Sequence, residues 1–330
     1  MANFEPPFQE ALKTLSLNSP QDAPSIDAAE EEFFELPLIH LRGLNGQEME
    51  RKKCVEVMAR AAREWGFFQI VDHGIPGELL KRLMSEQKRL FYHPFEEKSK
   101  TNFLNLANSY LWVNPRATSL KQLSWSEAFR VSITDLSRVD ESNNTLRQTI
   151  EDYAREATLL LQRLAEHLAG ILGMNSSYFR ENCTPSSTHL RLNRYPPCPL
   201  SGKLHGLVPH TDSSFLTLVY QDQVGGLQLM KDGGWFNVKP TSNALIINVG
   251  DLFQAMSNDV YKSVRHRVVA QGFERFSAAC FYCPTAEALI QSFRRPAVYR
   301  PFTYGEYKEQ IQEDVKSSGD KVGLPRFLQH

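Results

Sequence analysis

The sequence lacks an excess of either charge: 37 Lys and Arg stand against 38 Asp and Glu, for a formal net charge of −1. With no net field there is no long-range pull toward a polyanion, so the expected partner is a small molecule, not nucleic acid or an anionic membrane. It also lacks any apolar run of membrane-spanning length. Met1 to Pro7 has neither a basic nor an apolar leader segment, so the cytosol is the expected location. Cysteine is scarce. The five are scattered and odd in number, which excludes a secreted disulfide framework. Cys280 and Cys283 form one C-x-x-C, but no second pair at zinc-finger spacing accompanies it. The apolar run Phe276 to Tyr282 around it reads as a buried strand. Repeats, low-complexity tracts and protein-docking motifs are absent too.

What is present is an ordinary globular composition, 42% hydrophobic and 23% charged, in a chain of 330 residues. Residues 1–34 are polar and proline-containing, with an acidic run Glu30-Glu31-Glu32, and read as a loosely held arm. A first strand is expected at Leu36 to Ile39. Helical spacing of Val55, Met58, Ala62 and Trp65, and of Leu79, Leu83, Gln87 and Phe91, predicts two helices with a buried strand, Phe67 to Val71, between them. A long helix over about 145–172 carries Leu146, Ile150, Tyr153, Ala157, Leu160, Leu164, Leu168 and Ile171 on one face, with Gly173 as its C′ residue.

After Thr184 the pattern shortens. Strands are expected at His189–Tyr195, Phe215–Tyr220, Gly226–Met230, Trp235–Lys239, Ala244–Val249, Tyr261–Val269 and Arg275–Cys283, punctuated by glycines, and a last helix from Thr303 to Lys316. The expected fold class is α+β: a jelly-roll core over 185–285, flanked by a helical region over 35–180 and by a C-terminal helix and tail over 286–330.

Nine histidines pose the question of which are ligands. In an extended segment residues i and i+2 share a face, so His210 and Asp212 can converge on one ion. His266 lies in another strand-like run. Two imidazoles and one carboxylate on one face leave open positions of the kind suited to non-haem iron(II) and oxygen. Arg275 and Ser277 share a face by the same period. A buried guanidinium needs an anion, and a planar guanidinium grips a carboxylate with two parallel hydrogen bonds, to which a hydroxyl adds a third. H-x-D, His 54 residues after the Asp, and R-x-S nine residues after that His together form a specific pattern. It fits a metal site beside the distal carboxylate of a dicarboxylic co-substrate. The same triad could hold catalytic zinc in a hydrolase, or belong to a non-catalytic binding or iron-sensing protein. His73 and His205 read as structural or surface residues.

With these motifs in place, the chain resembles the plant 2-oxoglutarate/Fe(II)-dependent dioxygenases over most of its length. Further matching segments are Trp65 to Ile70 with His73-Gly74, Asn193 to Pro199, Gly225 to Gln228 and Ile247 to Asp251. Within that family the likeness is to the gibberellin 2-oxidases, especially the subgroup acting on twenty-carbon gibberellins, through Gln122–Phe129, Leu216–Leu229 and Val322–Phe327. The resemblance implies a distorted, cupin-like double-stranded β-helix that binds Fe(II) through His210, Asp212 and His266. It implies that Arg275 and Ser277 hold 2-oxoglutarate, with Tyr195 and Asn193 assisting. It further implies use of O2, with ascorbate in support, release of succinate and CO2, and 2β-hydroxylation that inactivates a gibberellin. A flavonoid or other plant metabolite is the alternative substrate. If Asn193 and Tyr195 face the site, alternation puts Arg191 and His189 on that face, and Arg191 is the candidate partner of a gibberellin carboxylate. Tyr110, Trp112, Trp125 and Phe129 are aromatic candidates for covering the hydrocarbon skeleton.

Overall fold

In the computed structural model, which describes residues 3–18, 26, 29–114 and 117–329, the chain alternates short strands with helices of very unequal length. The strands in chain order are β1 (Ala29–Phe34), β2 (Leu38–His40), β3 (Phe67–Val71), β4 (Tyr110–Trp112), β5 (Glu127–Ser132), β6 (His189–Tyr195), β7 (His205–His210), β8 (Leu216–Gln221), β9 (Leu227–Lys231), β10 (Gly234–Val238), β11 (Leu245–Val249), β12 (His266–Val269), β13 (Arg275–Tyr282) and a short separate pair, β14 (Leu289–Ile290) and β15 (Phe302–Thr303). The helices are α1 (Phe8–Asn18), α2 (Glu48–Glu64), α3 (Gly77–Phe91), α4 (Phe95–Lys98), α5 (Asn144–Ile171), α6 (Ser177–Asn182), α7 (Asp251–Met256) and α8 (Tyr304–Ser318). None is long and apolar enough to cross a membrane among the described residues.

Two sheets form the β-helix. One has the order β2-β3-β11-β8-β13-β6-β5-β4, the other β1-β10-β9-β12-β7. Strand alternation divides each strand of the larger sheet between two environments. Leu190, Leu192, Leu216, Leu218, Phe276, Ala278 and Cys280 face a core shared with α3 and α5 and are buried. The intervening residues of the same strands face the other sheet across a cavity. The Cys280 and Cys283 thiols are free and buried, and burial pushes each of them up to about 12. Helix α5 is the spine, and its apolar stripe from Leu146 to Leu168 is buried. Each such leucine contributes roughly 1.5–3 kcal/mol. Ile171, read as the end of that stripe, is instead exposed, because the helix stops there with Gly173 at φ 73°.

The structure departs from expectation in four places. The arm is not loosely held throughout: α1 buries Phe8 and Leu15, and β1 pairs with β10. (The side chains of the acidic run Glu30–Glu32, and residues 19–25, lie outside the described residues.) Two strands, β4 and β5, extend the larger sheet where none was expected, and β7 precedes His210. The run from Tyr261 is strand only from His266 onward. The segment after Gly250 turns into α7, and Gly250 passes so close to Ser214 that an added Cβ would lie 2.2 Å from its carbonyl oxygen.

Candidate active site

His210 ends β7 and His266 begins β12, and these two residues are register partners on adjacent antiparallel strands. Asp212 lies just beyond β7. Its Oδ1 is 3.6 Å from His210 Nε2 and 3.7 Å from His266 Nε2, and one ligand atom from each residue lies within 4.8 Å of the others. Each imidazole is oriented by its own strand. Nδ1 of His210 lies 2.8 Å from the Val208 carbonyl, and Nδ1 of His266 lies 3.0 Å from that of Val264. A carbonyl only accepts, so both Nδ1 atoms carry the proton and both Nε2 lone pairs face the shared point. Burial pushes the His210 imidazole down to about 3, which keeps it neutral and able to ligate. Asp212 Oδ2 accepts from Thr217 Oγ1 and Asn248 Nδ2, each at 2.7 Å, leaving Oδ1 for an ion. Burial opposes the charge on this carboxylate, but the two imidazoles and these hydrogen bonds hold it below the usual range. Two imidazole Nε2 atoms and one carboxylate oxygen fit a divalent, oxygen-activating metal.

A second cluster lies on β6 and β13, where Tyr195 pairs with Arg275 and Asn193 with Ser277. The Arg275 guanidinium is 2% exposed and sits 4.7 Å from the centre of the Tyr195 ring. Its Nη2 donates to Gln221 Oε1 at 2.7 Å, while Nε and Nη1 have no partner. A buried cation with two spare donors calls for an anion, since leaving it bare costs several kcal/mol, on the order of 3–5. The Ser277 hydroxyl accepts from Asn193 Nδ2 at 3.3 Å and keeps its own proton to give. Gly206 makes room for this stack: a Cβ there would lie 2.8 Å from the Tyr195 ring.

Both clusters line one cavity of about 480 Å³ between the sheets. His210, Asp212, His266, Arg275, Ser277, Tyr195, Asn193, Arg191 and His189 all face it. The four aromatic candidates do not. Phe129 is buried on the opposite face of β5 against Phe91, Phe103 and Tyr110. Tyr110 donates to buried Glu127. Trp125 stacks on Phe8 of α1 at 4.9 Å, and Trp112 meets the same ring edge-on at 6.0 Å. The reason is strand parity: in β5 the cavity side belongs to Arg130, one residue beyond Phe129. The apolar wall is instead Leu111, Leu207, Val219, Phe281 and Ile311. Sequence reasoning also missed Thr217, Gln221 and Asn248. Thr217 and Gln221 share the alternation of β8, which was available as a signal. His73 serves locally, accepting from the Ile75 amide at 3.1 Å.

Outside the cavity a clasp secures the ligand loop. Lys321 Nζ donates to the Thr211 carbonyl and to Ser213 Oγ, both at 2.9 Å, and pairs with Asp251 at 2.6 Å. Asp251 also accepts from Tyr307 and, at 3.0 Å, from Thr211 Oγ1. The loop carrying His210 and Asp212 is thereby tied to α7, α8 and the tail.

A His-Asp-His triad beside a buried arginine with two unpartnered nitrogens, on a double-stranded β-helix, defines a non-haem iron oxygenase that uses an oxo acid. Comparison with known proteins agrees. Residues 186–284 match the 2OG-Fe(II) oxygenase superfamily, and residues 36–150 match the N-terminal region described as non-haem dioxygenase in morphine synthesis. The chain is 52% identical to gibberellin 2-beta-dioxygenase 8 of Arabidopsis thaliana over 99% of both chains. It is 47% identical to gibberellin 2-beta-dioxygenase 6 of Oryza sativa subsp. japonica over 90% of this chain and 86% of that one. A crystal structure of JOX2 with 2OG, Fe and JA superposes with a TM-score of 0.75 at 29% identity, covering 96% of this chain and 97% of that one. The chain belongs to the 2OG-Fe(II) oxygenase superfamily. It is an Fe(II)- and 2-oxoglutarate-dependent dioxygenase, which disposes of the zinc-hydrolase and non-catalytic alternatives.

Proposed function

We propose that the enzyme 2β-hydroxylates, and so inactivates, gibberellins, with twenty-carbon precursors as its substrates. In this reading His210, Asp212 and His266 hold iron, which supplies the activation of O2 and the transfer of oxygen. Arg275 and Ser277 grip the distal carboxylate of 2-oxoglutarate, and Tyr195 and Asn193 keep that grip in place. Arg191 takes a substrate carboxylate. The single observation that carries the reading is the make-up of the cavity. One end has a buried guanidinium with two unpartnered nitrogens for the oxo acid, and the rest is an apolar chamber with further cations in its wall. A rigid hydrocarbon acid suits such a chamber better than a flat polyphenol, which has no carboxylate to offer Arg191. The gibberellin 2-beta-dioxygenases among the relatives point the same way. The side chains orient the two substrates on neighbouring positions and exclude bulk water from between them.

The test is incubation with Fe(II), 2-oxoglutarate and gibberellins, followed by mass spectrometry and succinate measurement, with Asp212→Ala as the blank. A product heavier by one oxygen atom and hydroxylated at the 2β position, with one succinate for each, is expected. Turnover of a flavonoid with none of any gibberellin would overturn it.

A further inference from the structure

Three cations converge in the wall and mouth of the cavity, and among the described residues none is paired with an acid. Arg130 of β5 and Arg191 of β6 are direct register partners, with both side chains on the cavity face. Lys308 of α8 lines the cavity and also an outer cleft that shares Arg130, His189 and Tyr304 with it. Among the described residues Arg191 donates only to the amide oxygen of Asn193 at 2.8 Å, and Lys308 lies 4.7 Å from the centre of the Tyr304 ring. The Arg130 guanidinium has no hydrogen-bond or ion-pair partner among them. The one acid lining the cavity, Asp212, belongs to the metal triad. The outer cleft adds Asp135, paired with Arg138 at 3.2 Å, and Glu287.

Like charges directly opposite on neighbouring strands repel, and since Arg130 is exposed at the mouth, where only water screens it, an anion bound beside it relieves the pair. The three fields overlap: burial, then the charge of Arg130, with Arg191 and Lys308 adding to it, pushes the His189 imidazole down to about 3. His189 is therefore neutral and packs flat on Phe281, with ring centres 4.8 Å apart, as part of the apolar wall. One substrate carboxylate on Arg191 satisfies a single cation and leaves two.

We propose that Arg130 and Lys308 form a second carboxylate-binding subsite, so that the enzyme selects an apolar terpenoid bearing two carboxylates. Leu111, Phe281 and Ile311 line the same cavity and supply apolar surface for the hydrocarbon part. This rests on the gibberellin reading and deepens it. Twenty-carbon gibberellins present two free carboxylates, whereas nineteen-carbon ones have one of them closed into a lactone. The discrimination then comes from charge at the mouth more than from the shape of the chamber.

The experiment compares kcat/KM for a twenty-carbon dicarboxylic gibberellin and a nineteen-carbon gibberellin lactone in the wild type, Arg130→Gln, Arg130→Lys and Lys308→Gln. The ratio of dicarboxylate to lactone should fall about tenfold or more in Arg130→Gln, as expected for loss of a charge-assisted bond, and recover in part in Arg130→Lys. A ratio unchanged in Arg130→Gln and Lys308→Gln overturns the subsite. If Arg130→Gln does not fold, Lys308→Gln decides, because its exposed helical position tolerates glutamine. If the wild type turns over neither compound, the gibberellin reading fails, and the subsite is judged by binding instead. Agathic acid, a diterpenoid dicarboxylate, and its monomethyl ester are then titrated into the protein with Fe(II) and 2-oxoglutarate under argon. Weaker binding of the ester to the wild type, with no such difference in Lys308→Gln, supports the subsite; equal binding of both to the wild type overturns it.

Discussion

Arg275 is held by what it lacks. Gln221 takes one donor of this deep guanidinium and Tyr195 offers the face of its ring, yet two of its nitrogens stay open. Those open donors are the difference between a structural arginine and a receptor for an anion. Arg275→Met keeps much of the bulk and removes every donor, so half-saturation for 2-oxoglutarate should rise on the order of 100-fold or more. Iron affinity, set by other side chains, should move far less. Titration of each on the same preparation checks both; unchanged half-saturation would remove Arg275 from its role. This residue was legible in the sequence because strand alternation and charge burial both act within a few residues of chain. Phe129 was not. Aromatic character alone does not say which face of β5 looks inward, and a one-residue difference in parity gives the cavity to Arg130.

At the scale of elements, the ligand loop after β7 depends on partners far away in sequence. Lys321 reaches the carbonyl of Thr211, between the two ligands His210 and Asp212, while its ammonium is anchored by Asp251 at the start of α7. A Lys321→Met variant should bind Fe(II) about tenfold more weakly, in line with other losses of support around metal ligands. Anaerobic titration with Mn(II) as a redox-inert substitute reads this without turnover, and an unaltered affinity would show the clasp to be dispensable. Such a tie is not readable from the chain alone. Lys321 and Thr211 are joined only when the tail folds back over α8, and an isolated lysine in a polar tail carries no sign of it. Strands and long helices were legible, since their periodicity is local. The start of α7 and the extra strands β4 and β5 were not, because they are short and owe their form to neighbours.

For the whole molecule, the strand that presents Tyr195 and Asn193 is braced from behind. Arg194, on the opposite face of β6, is 1% exposed and bonds Glu127 and Glu274, each at 2.6 Å, as well as Glu5. Glu127 in turn receives the fully buried Lys98 at 2.7 Å. Breaking a buried network by removing one charge leaves the others uncompensated. Glu127→Gln should therefore lower the unfolding free energy by roughly 3–5 kcal/mol. Chemical denaturation at neutral pH measures it, and a loss within experimental scatter would mean the network is not a support.

Phe4 stacks over the same guanidinium at 5.0 Å, and Phe8 covers Trp125. A protein trimmed to begin at Leu36, as a crystallographer might shorten it after seeing only a polar preamble, would leave Arg194 one carboxylate short and take a ring partner from three indoles, those of Trp65, Trp112 and Trp125. The damage from so innocuous a cut would surface on the far side of the sheet, where the back wall of the catalytic chamber had lost its buttress.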